Sequence, residues 1–155
     1  MRDLLSELNE EQRNAAACIE GPVMIIAGAG SGKTRTLTYR IAHLIEDKGV
    51  PASAVLAITF TNKAANELKE RLSLMLGSEA QDIWAMTFHS ACCRILRGEI
   101  ERLGYTKSFT IYDQADSERV MKTIIQDLGL DDKTLPAKYV LNIISREKDK
   151  MVSPD

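Results

Sequence analysis

The chain has 155 residues, of which 45% are hydrophobic and 27% are charged, and its net charge at pH 7 is −2. These totals fit one soluble globular domain and argue against a dedicated nucleic-acid module, which is usually strongly basic. No apolar run approaches the roughly 20 residues of a membrane helix, and three cysteines make no disulfide framework, so we predict no membrane partner and a reducing, cytoplasmic location.

The first predicted elements are a helix, a strand and a second helix. Asn9 is a good N-cap with Gln12 at capping-box spacing, so a helix is predicted from there to Gly21-Pro22. The run VMIIA then predicts a strand buried on both faces. From Gly32 the apolar spacing becomes helical. Its stripe contains Leu37, Ile41, Leu44 and Ile45.

Two further strand–helix pairs follow. AVLAITF predicts another buried strand, and DIWAMTF predicts a third. NKAANELKERLSLML and HSACCRILRGEIERL predict the helices that come after them. The inner face of the former helix is predicted to hold Ala65, Leu68, Leu72 and Met75. Alternation of strands with helices is typical of a parallel sheet with right-handed crossovers.

The pattern changes after Gly104. SFTIYD is a short strand at most, and two amphipathic helices follow it, with Pro136 suited to the first turn of the second. We therefore predict an α/β domain over residues 1–108 and a helical segment over residues 109–155.

The stretch AGAGSGKT lies between the predicted strand VMIIA and a helix, and it has the pattern of a phosphate-binding loop. Glycines let successive N–H groups point into one concavity at a helix N-terminus, which favours an anion. Lys33 is expected to reach the β- and γ-phosphates, and the Thr34 hydroxyl to ligate Mg²⁺. The predicted loop residues are Ala27, Gly28, Ala29, Gly30, Ser31, Gly32, Lys33 and Thr34.

Two alternatives accompany this loop. A glycine-rich turn could simply join strand to helix, although the lysine–threonine pair and the flanking elements disfavour that. The full pattern also has glycine where Ala27 stands. Hydrolysis needs a further carboxylate for Mg²⁺, and the candidate is Asp113, which could instead be the N-cap of the following helix.

Four stretches carry a resemblance to a known family: LNEEQRNAA, AITFTNKAANELKERL, WAMTFHSACCRIL and YDQADSERVMKTII. In order and spacing they resemble the start of the UvrD/Rep/PcrA helicases, superfamily 1 motors that move 3′ to 5′ on single-stranded DNA. The resemblance implies a RecA-like P-loop NTPase domain with an incomplete parallel sheet, followed by the start of an inserted helical subdomain. The family's Asp-Glu motif, arginine finger and second motor domain would then lie in the remainder of the helicase chain.

The resemblance also implies site residues. Gln12 would read the adenine edge and Arg35 would lie along the adenine face, with Lys33 and Thr34 on the phosphates and Mg²⁺ of ATP. The implied contacts to single-stranded DNA are Thr59, Phe60, Asn62, Lys63, Thr87, Phe88 and His89.

These roles have structural alternatives. Gln12 could only complete the capping box, and Phe60 could belong to the core. His89 could be a hydrogen-bonding residue at a helix start, and Lys63 could belong to a solvated helix face.

Three functions are therefore weighed. An ATP-dependent DNA helicase is favoured for the parent protein, while the 155 residues alone are expected to bind nucleotide weakly, to be catalytically incomplete and to self-associate through an exposed sheet edge. A nucleotide-binding module or another P-loop NTPase without helicase activity is the alternative. A small-molecule kinase would explain GAGSGKT but not TFTNKAA or TFHS.

Overall fold

The computed structural model describes residues 3–131 and 133–154. They form two compact units, Met1–Lys107 and Ser108–Asp155, and each is described by itself. The α-helices of the first unit are α1 Glu10–Ala17, α2 Lys33–Ala42, α3 Asn62–Leu76 and α4 Phe88–Glu99. Its strands are β1 Leu56–Thr59 and β2 Trp84–Thr87. Shorter helical turns are Leu4–Glu7, His43–Asp47, Ala52–Ala54, Gly77–Asp82 and Ile100–Leu103.

Strands β1 and β2 pair in parallel, in a register that sets Leu56 beside Trp84 and Thr59 beside Thr87. Helix α3 provides the crossover between them, which confirms the predicted alternation of parallel strands and helices. Because the register is in step, both carboxyl ends lie at the same edge of the sheet. That edge is where open α/β sheets usually bind ligands.

The strand predicted at VMIIA is wrong for the described structure. Residues 22–27 have no assigned secondary structure, and the side chains of Met24 and Ile26 are 84% and 87% exposed. A strand exists only where a neighbouring backbone completes its hydrogen bonds. The described sheet contains β1 and β2, which pair with each other, and this segment has no place in it.

Strand β1 is buried on one face, whereas burial on both faces was predicted. Ala57 is 6% exposed, while Leu56 and Ile58 on the other face are 48% and 45% exposed. Side chains alternate along a strand, so covering one side of a sheet buries every second residue.

Helix α1 begins as predicted but ends at Ala17, before Gly21-Pro22. The guanidinium of Arg40 donates hydrogen bonds to the carbonyl oxygens of Ala15 (3.1 Å) and Cys18. These contacts satisfy carbonyl groups that the end of a helix leaves unpaired. The carboxyl end of α1 is thus capped by a side chain of α2.

The core of this unit is built on α3. Leu68 and Leu72 are fully buried, Ala65 is buried and Met75 is partly buried, so the predicted inner face is confirmed. The predicted stripe of the second helix is only partly correct. Ile41 and Ile45 are buried, but Leu37 is 37% exposed.

We expect Leu72→Ala to destabilise the chain by about 2–5 kcal/mol, because it leaves a cavity where the side chain is fully enclosed. Leu74→Ala on the same helix is the matched control. Leu74 is 88% exposed, so its removal should change stability by no more than about 0.5 kcal/mol. Urea unfolding followed by circular dichroism measures both, and equal effects would contradict the assigned helix face.

The second unit contains α5 Gln114–Asp127 and α6 Ala137–Asp149, with no strand at SFTIYD. The carboxylate of Asp113 accepts the backbone N–H of Asp116 at 2.8 Å, which completes a capping box at the start of α5. The N-cap interpretation of Asp113 is therefore confirmed. Pro136 lies at the N-cap of α6, one residue before the predicted first turn.

Among the described helices, none has the length and apolar character needed to cross a membrane.

Candidate functional site

The glycine-rich loop turns sharply into α2. Gly30 and Gly32 have positive φ values of 77° and 86°, which glycine adopts without steric strain. The turn is closed by Ser31, whose hydroxyl donates to the carbonyl oxygen of Gly28 at 2.7 Å. Gly32 is the N-cap of α2, so the loop lies at the amino end of a ten-residue helix. Unpaired N–H groups and the helix dipole favour an anion at such an end.

The ammonium group of Lys33 lies within this loop. Its Nζ donates to the carbonyl oxygens of Ala27 at 3.0 Å and Gly28 at 2.6 Å. The side chain remains exposed, so an incoming phosphate can replace these carbonyl groups. The positive charge of Lys33 thus lies beside the glycine-rich loop before any ligand binds.

Gln12 joins α1 to the loop. Its Oε1 accepts the Asn9 N–H at 3.4 Å in the capping box, while its Nε2 donates to the carbonyl oxygen of Ser31 at 2.9 Å. The capping role is confirmed, and the same side chain makes a second contact, to the loop. A Cβ added at Gly32 would lie 2.6 Å from Gln12 Nε2 and would displace this side-chain end, while the positive φ of 86° is what favours glycine there.

A cavity of about 400 Å³ opens beside the loop, within the range typical of small-molecule sites. Gln12, Ser31 and Lys33 provide polar groups on its wall. The other lining residues are Asn9, Glu11, Ala15, Ile25, Ile26, Ala27 and Thr36. The polar groups and the apolar residues together suit a nucleotide, which has a charged end and a flat apolar end.

Thr34 lies in the first turn of α2, next to Lys33, and is exposed. Mg²⁺ in nucleotide sites usually keeps several waters and takes few protein ligands besides the phosphates. One hydroxyl oxygen at this position fits that requirement. The described residues contain no cluster of metal-ligating side chains that would hold an ion by itself.

Arg35 does not line the cavity described above. Its Nη2 donates to the carbonyl oxygen of Glu7 at 2.9 Å, and its guanidinium carbon lies 5.3 Å from the ring centroid of Tyr39. Neither Glu7 nor Tyr39 was among the site residues predicted from the sequence. The signal for Tyr39 was the spacing of four residues from Arg35, which places both side chains on one helix face.

A second candidate surface lies at the carboxyl ends of the strands. Helix α3 starts after β1 and is capped by Thr61, whose hydroxyl oxygen accepts the Ala64 N–H at 3.2 Å. Helix α4 starts directly after β2 and is capped by Thr87, whose hydroxyl oxygen accepts the Ser90 N–H at 3.3 Å. The amino ends of α3 and α4 therefore lie at the same edge of the sheet. Lys63 is exposed in the first turn of α3.

Aromatic side chains project from this edge. Phe60 is 98% exposed and Phe88 is 60% exposed, so the core alternative for Phe60 is wrong. Phe88 makes an edge-to-face contact with His89, with ring centroids 6.5 Å apart. The hydrogen bond that caps this helix start comes from Thr87 and not from His89.

These aromatic groups enclose a shallow cavity of about 520 Å³. The residues that line it are Ile58, Thr59, Phe60, Phe88 and His89. Asn62, from the same predicted set, is exposed at the start of α3. The structure thus gathers residues from two separate sequence motifs at one sheet edge.

Comparison with known proteins decides the family. The family model of the UvrD/REP helicase N-terminal domain matches residues 8–155. The chain belongs to the UvrD/REP helicase family. This result confirms the resemblance and the P-loop NTPase class predicted for the chain.

Relatives within the UvrD/REP family include proteins named ATP-dependent DNA helicase PcrA. The chain is 49% identical to that of Bacillus subtilis (strain 168) over 152 residues, which is 98% of this chain and 21% of the relative. It is 46% identical to that of Staphylococcus aureus (strain Mu50 / ATCC 700699) over 154 residues, with coverage of 99% and 21%. For Staphylococcus epidermidis the identity is 45% over 155 residues, with coverage of 100% and 21%. The chain therefore spans 21% of the length of these curated relatives.

Proposed function

We propose that this chain is the N-terminal ATP-binding region of an ATP-dependent 3′-to-5′ DNA helicase that translocates on single-stranded DNA. The observation that carries the proposal is the pairing, within one compact unit, of a phosphate-loop cavity with an exposed aromatic surface at parallel strand ends. A simple nucleotide-binding turn would need only the first of these features. The family match and the names of the relatives support the same function.

The loop and α2 would hold the phosphates of ATP. Lys33 would exchange its bonds to the loop carbonyl groups for bonds to phosphate oxygens, which develop charge during transfer. Thr34 would ligate Mg²⁺, which neutralises part of that charge when bound. Gln12 would meet the adenine edge while its amide still holds the loop at Ser31. Arg35 would lie along the adenine face as a planar cation.

The strand ends would contact single-stranded DNA. Phe60 is free of the core and can stack on a base without reading sequence. Lys63 and the amino end of α3 offer backbone phosphate contacts. Thr59, Asn62, Thr87, Phe88 and His89 would complete the surface. A local patch of this kind is compatible with the net charge of −2.

The two candidate sites share supporting elements. The glycine-rich loop leads into α2, and α2 packs on α3. The amino end of α3 would contribute to the proposed DNA surface. ATP binding would close a cleft between this unit and the remainder of the helicase, and hydrolysis would reopen it. Residues 1–108 would be the first part of the motor domain and residues 109–155 the start of the inserted helical subdomain.

We also propose a cytoplasmic location and self-association of the 155 residues when they are isolated. Cys18, Cys92 and Cys93 are free thiols in the structure, as a reducing cytoplasm would keep them. The exposed apolar face of β1 and the segment 22–27, which belongs to no sheet, would pair with a second copy if the 155 residues are studied alone.

The polarity of unwinding tests the proposed function. With the whole protein and ATP, a duplex carrying a 3′ single-stranded tail should be separated, whereas matched duplexes with a 5′ tail or blunt ends should stay paired. Strand separation is followed by a fluorophore and quencher on the two strands, with ADP as the control. A preference for the 5′ tail, or separation that needs no ATP, would refute the proposal.

A further inference from the structure

Arg35 and Tyr39 form a cation–π pair on α2, just after the glycine-rich loop. They are four residues apart, so they lie on the same helix face. The guanidinium carbon of Arg35 is 5.3 Å from the centroid of the Tyr39 ring, within the range of a cation–π contact. The tyrosine ring therefore supports the arginine from one side.

Glu7 holds both members of this pair. The Tyr39 hydroxyl donates a hydrogen bond to the Glu7 carboxylate, and Arg35 Nη2 donates to the Glu7 carbonyl oxygen at 2.9 Å. Each of the three residues thus contacts the other two. A long arginine side chain loses considerable rotamer freedom when it is fixed, and this arrangement fixes it before any ligand arrives.

Glu7 is itself anchored to the core. It ends the helical turn Leu4–Glu7, and Leu4 and Leu8 on either side are 3% and 4% exposed. Arg13 of α1 donates to the carbonyl oxygens of Leu5 at 3.1 Å and Leu8 at 3.4 Å. Glu7 is itself exposed, but the buried leucines on either side and the hydrogen bonds from Arg13 hold its backbone against the first unit.

We propose that Tyr39, held by Glu7, is a positioning residue that presents the guanidinium of Arg35 to the purine base of the nucleotide. The guanidinium carbon of Arg35 lies over the Tyr39 ring, and Arg35 remains exposed. A base that stacks on the guanidinium from the side away from Tyr39 would complete three layers: the Tyr39 ring, the guanidinium and the base. The inference rests on the proposed function, which gives Arg35 its contact with adenine, and it adds the residues that orient Arg35.

The test separates base binding from phosphate binding in the whole protein. Dissociation constants for ADP and for inorganic pyrophosphate, both with Mg²⁺, are measured by isothermal titration calorimetry. Tyr39→Leu removes the ring and should raise the constant for ADP by about two- to twelvefold, because Arg35 must then be ordered when the nucleotide binds. The constant for pyrophosphate should stay unchanged, because pyrophosphate has no base to stack on Arg35.

Tyr39→Phe is the conservative partner, since it keeps the ring and removes the hydroxyl that Glu7 accepts. Its loss of ADP affinity should be smaller than that of Tyr39→Leu. The inference is overturned if Tyr39→Leu leaves ADP affinity unchanged or lowers the affinities for ADP and pyrophosphate by the same factor. It is also overturned if Tyr39→Phe and Tyr39→Leu lower ADP affinity equally.

Lys33→Ala distinguishes failure of this inference from failure of the proposed function. It should weaken both ADP and pyrophosphate, because both use the phosphate loop. If it weakens neither, the proposed function falls and this inference with it. If Lys33→Ala weakens the binding of both ligands while Tyr39→Leu changes neither affinity, only the positioning role of Tyr39 is refuted.

Discussion

Lys33→Ala should abolish ATP-driven unwinding by the whole protein, with ATP turnover reduced by at least about 10²-fold, while the fold stays intact. Removing one preorganised group that stabilises transition-state charge typically has an effect of about 10²–10³-fold on turnover. The hydrogen bonds that Lys33 makes to Ala27 and Gly28 lie at the exposed surface, so their loss should lower stability by no more than about 1 kcal/mol.

Steady-state phosphate release with single-stranded DNA, together with a thermal melt, measures both effects. Lys122→Ala is the matched control, since Lys122 is an exposed lysine on α5. It removes the same charge from a position with no proposed catalytic role. Unwinding by Lys33→Ala within a few-fold of the unaltered protein would refute the assignment of the phosphate site.

Phe60→Ala should weaken the binding of single-stranded DNA by about 5- to 150-fold, which corresponds to the loss of one aromatic–base stack of about 1–3 kcal/mol. Stability should be unaffected, because the side chain is 98% exposed and packs against nothing that its removal would leave empty. ADP affinity without DNA should also stay the same.

Fluorescence anisotropy with a labelled oligothymidine measures this effect on the whole protein. Tyr105→Ala is the control, because Tyr105 is also an exposed aromatic residue, at 66%, and has no proposed DNA role. Phe60→Trp should restore most of the affinity, since it keeps a stacking surface. Equal DNA affinities for Phe60→Ala and the unaltered protein would contradict the proposed contact between Phe60 and single-stranded DNA.

Much of the geometry of the glycine-rich loop was predictable because it is local. The positive φ of Gly30 and Gly32 and the start of a helix at Lys33 follow from residues within one turn of each other. The capping boxes at Asn9 and Asp113 also connect groups only three residues apart. Such short-range geometry is set by residue type and spacing, so the pattern alone was sufficient.

The proposed DNA surface at the strand ends was predictable only in part. The motif residues around Phe60 and Phe88 were identified by resemblance, and the parallel order of strands predicted that they share an edge. Whether Phe60 lies in the core or in solvent depends on what else covers that edge. The structure alone places it outside the core.

The sequence by itself determined the phosphate loop, the helix starts and the inner face of α3, because each depends on backbone preferences and periodicity within a short segment. Only the tertiary structure decided that VMIIA forms no strand and that β1 is covered on one face, since both depend on which neighbours supply hydrogen bonds and packing. It also decided that Glu7 meets Tyr39, a pair 32 residues apart. Contacts between distant residues are set by how the helices and strands pack, and no local pattern contains that information.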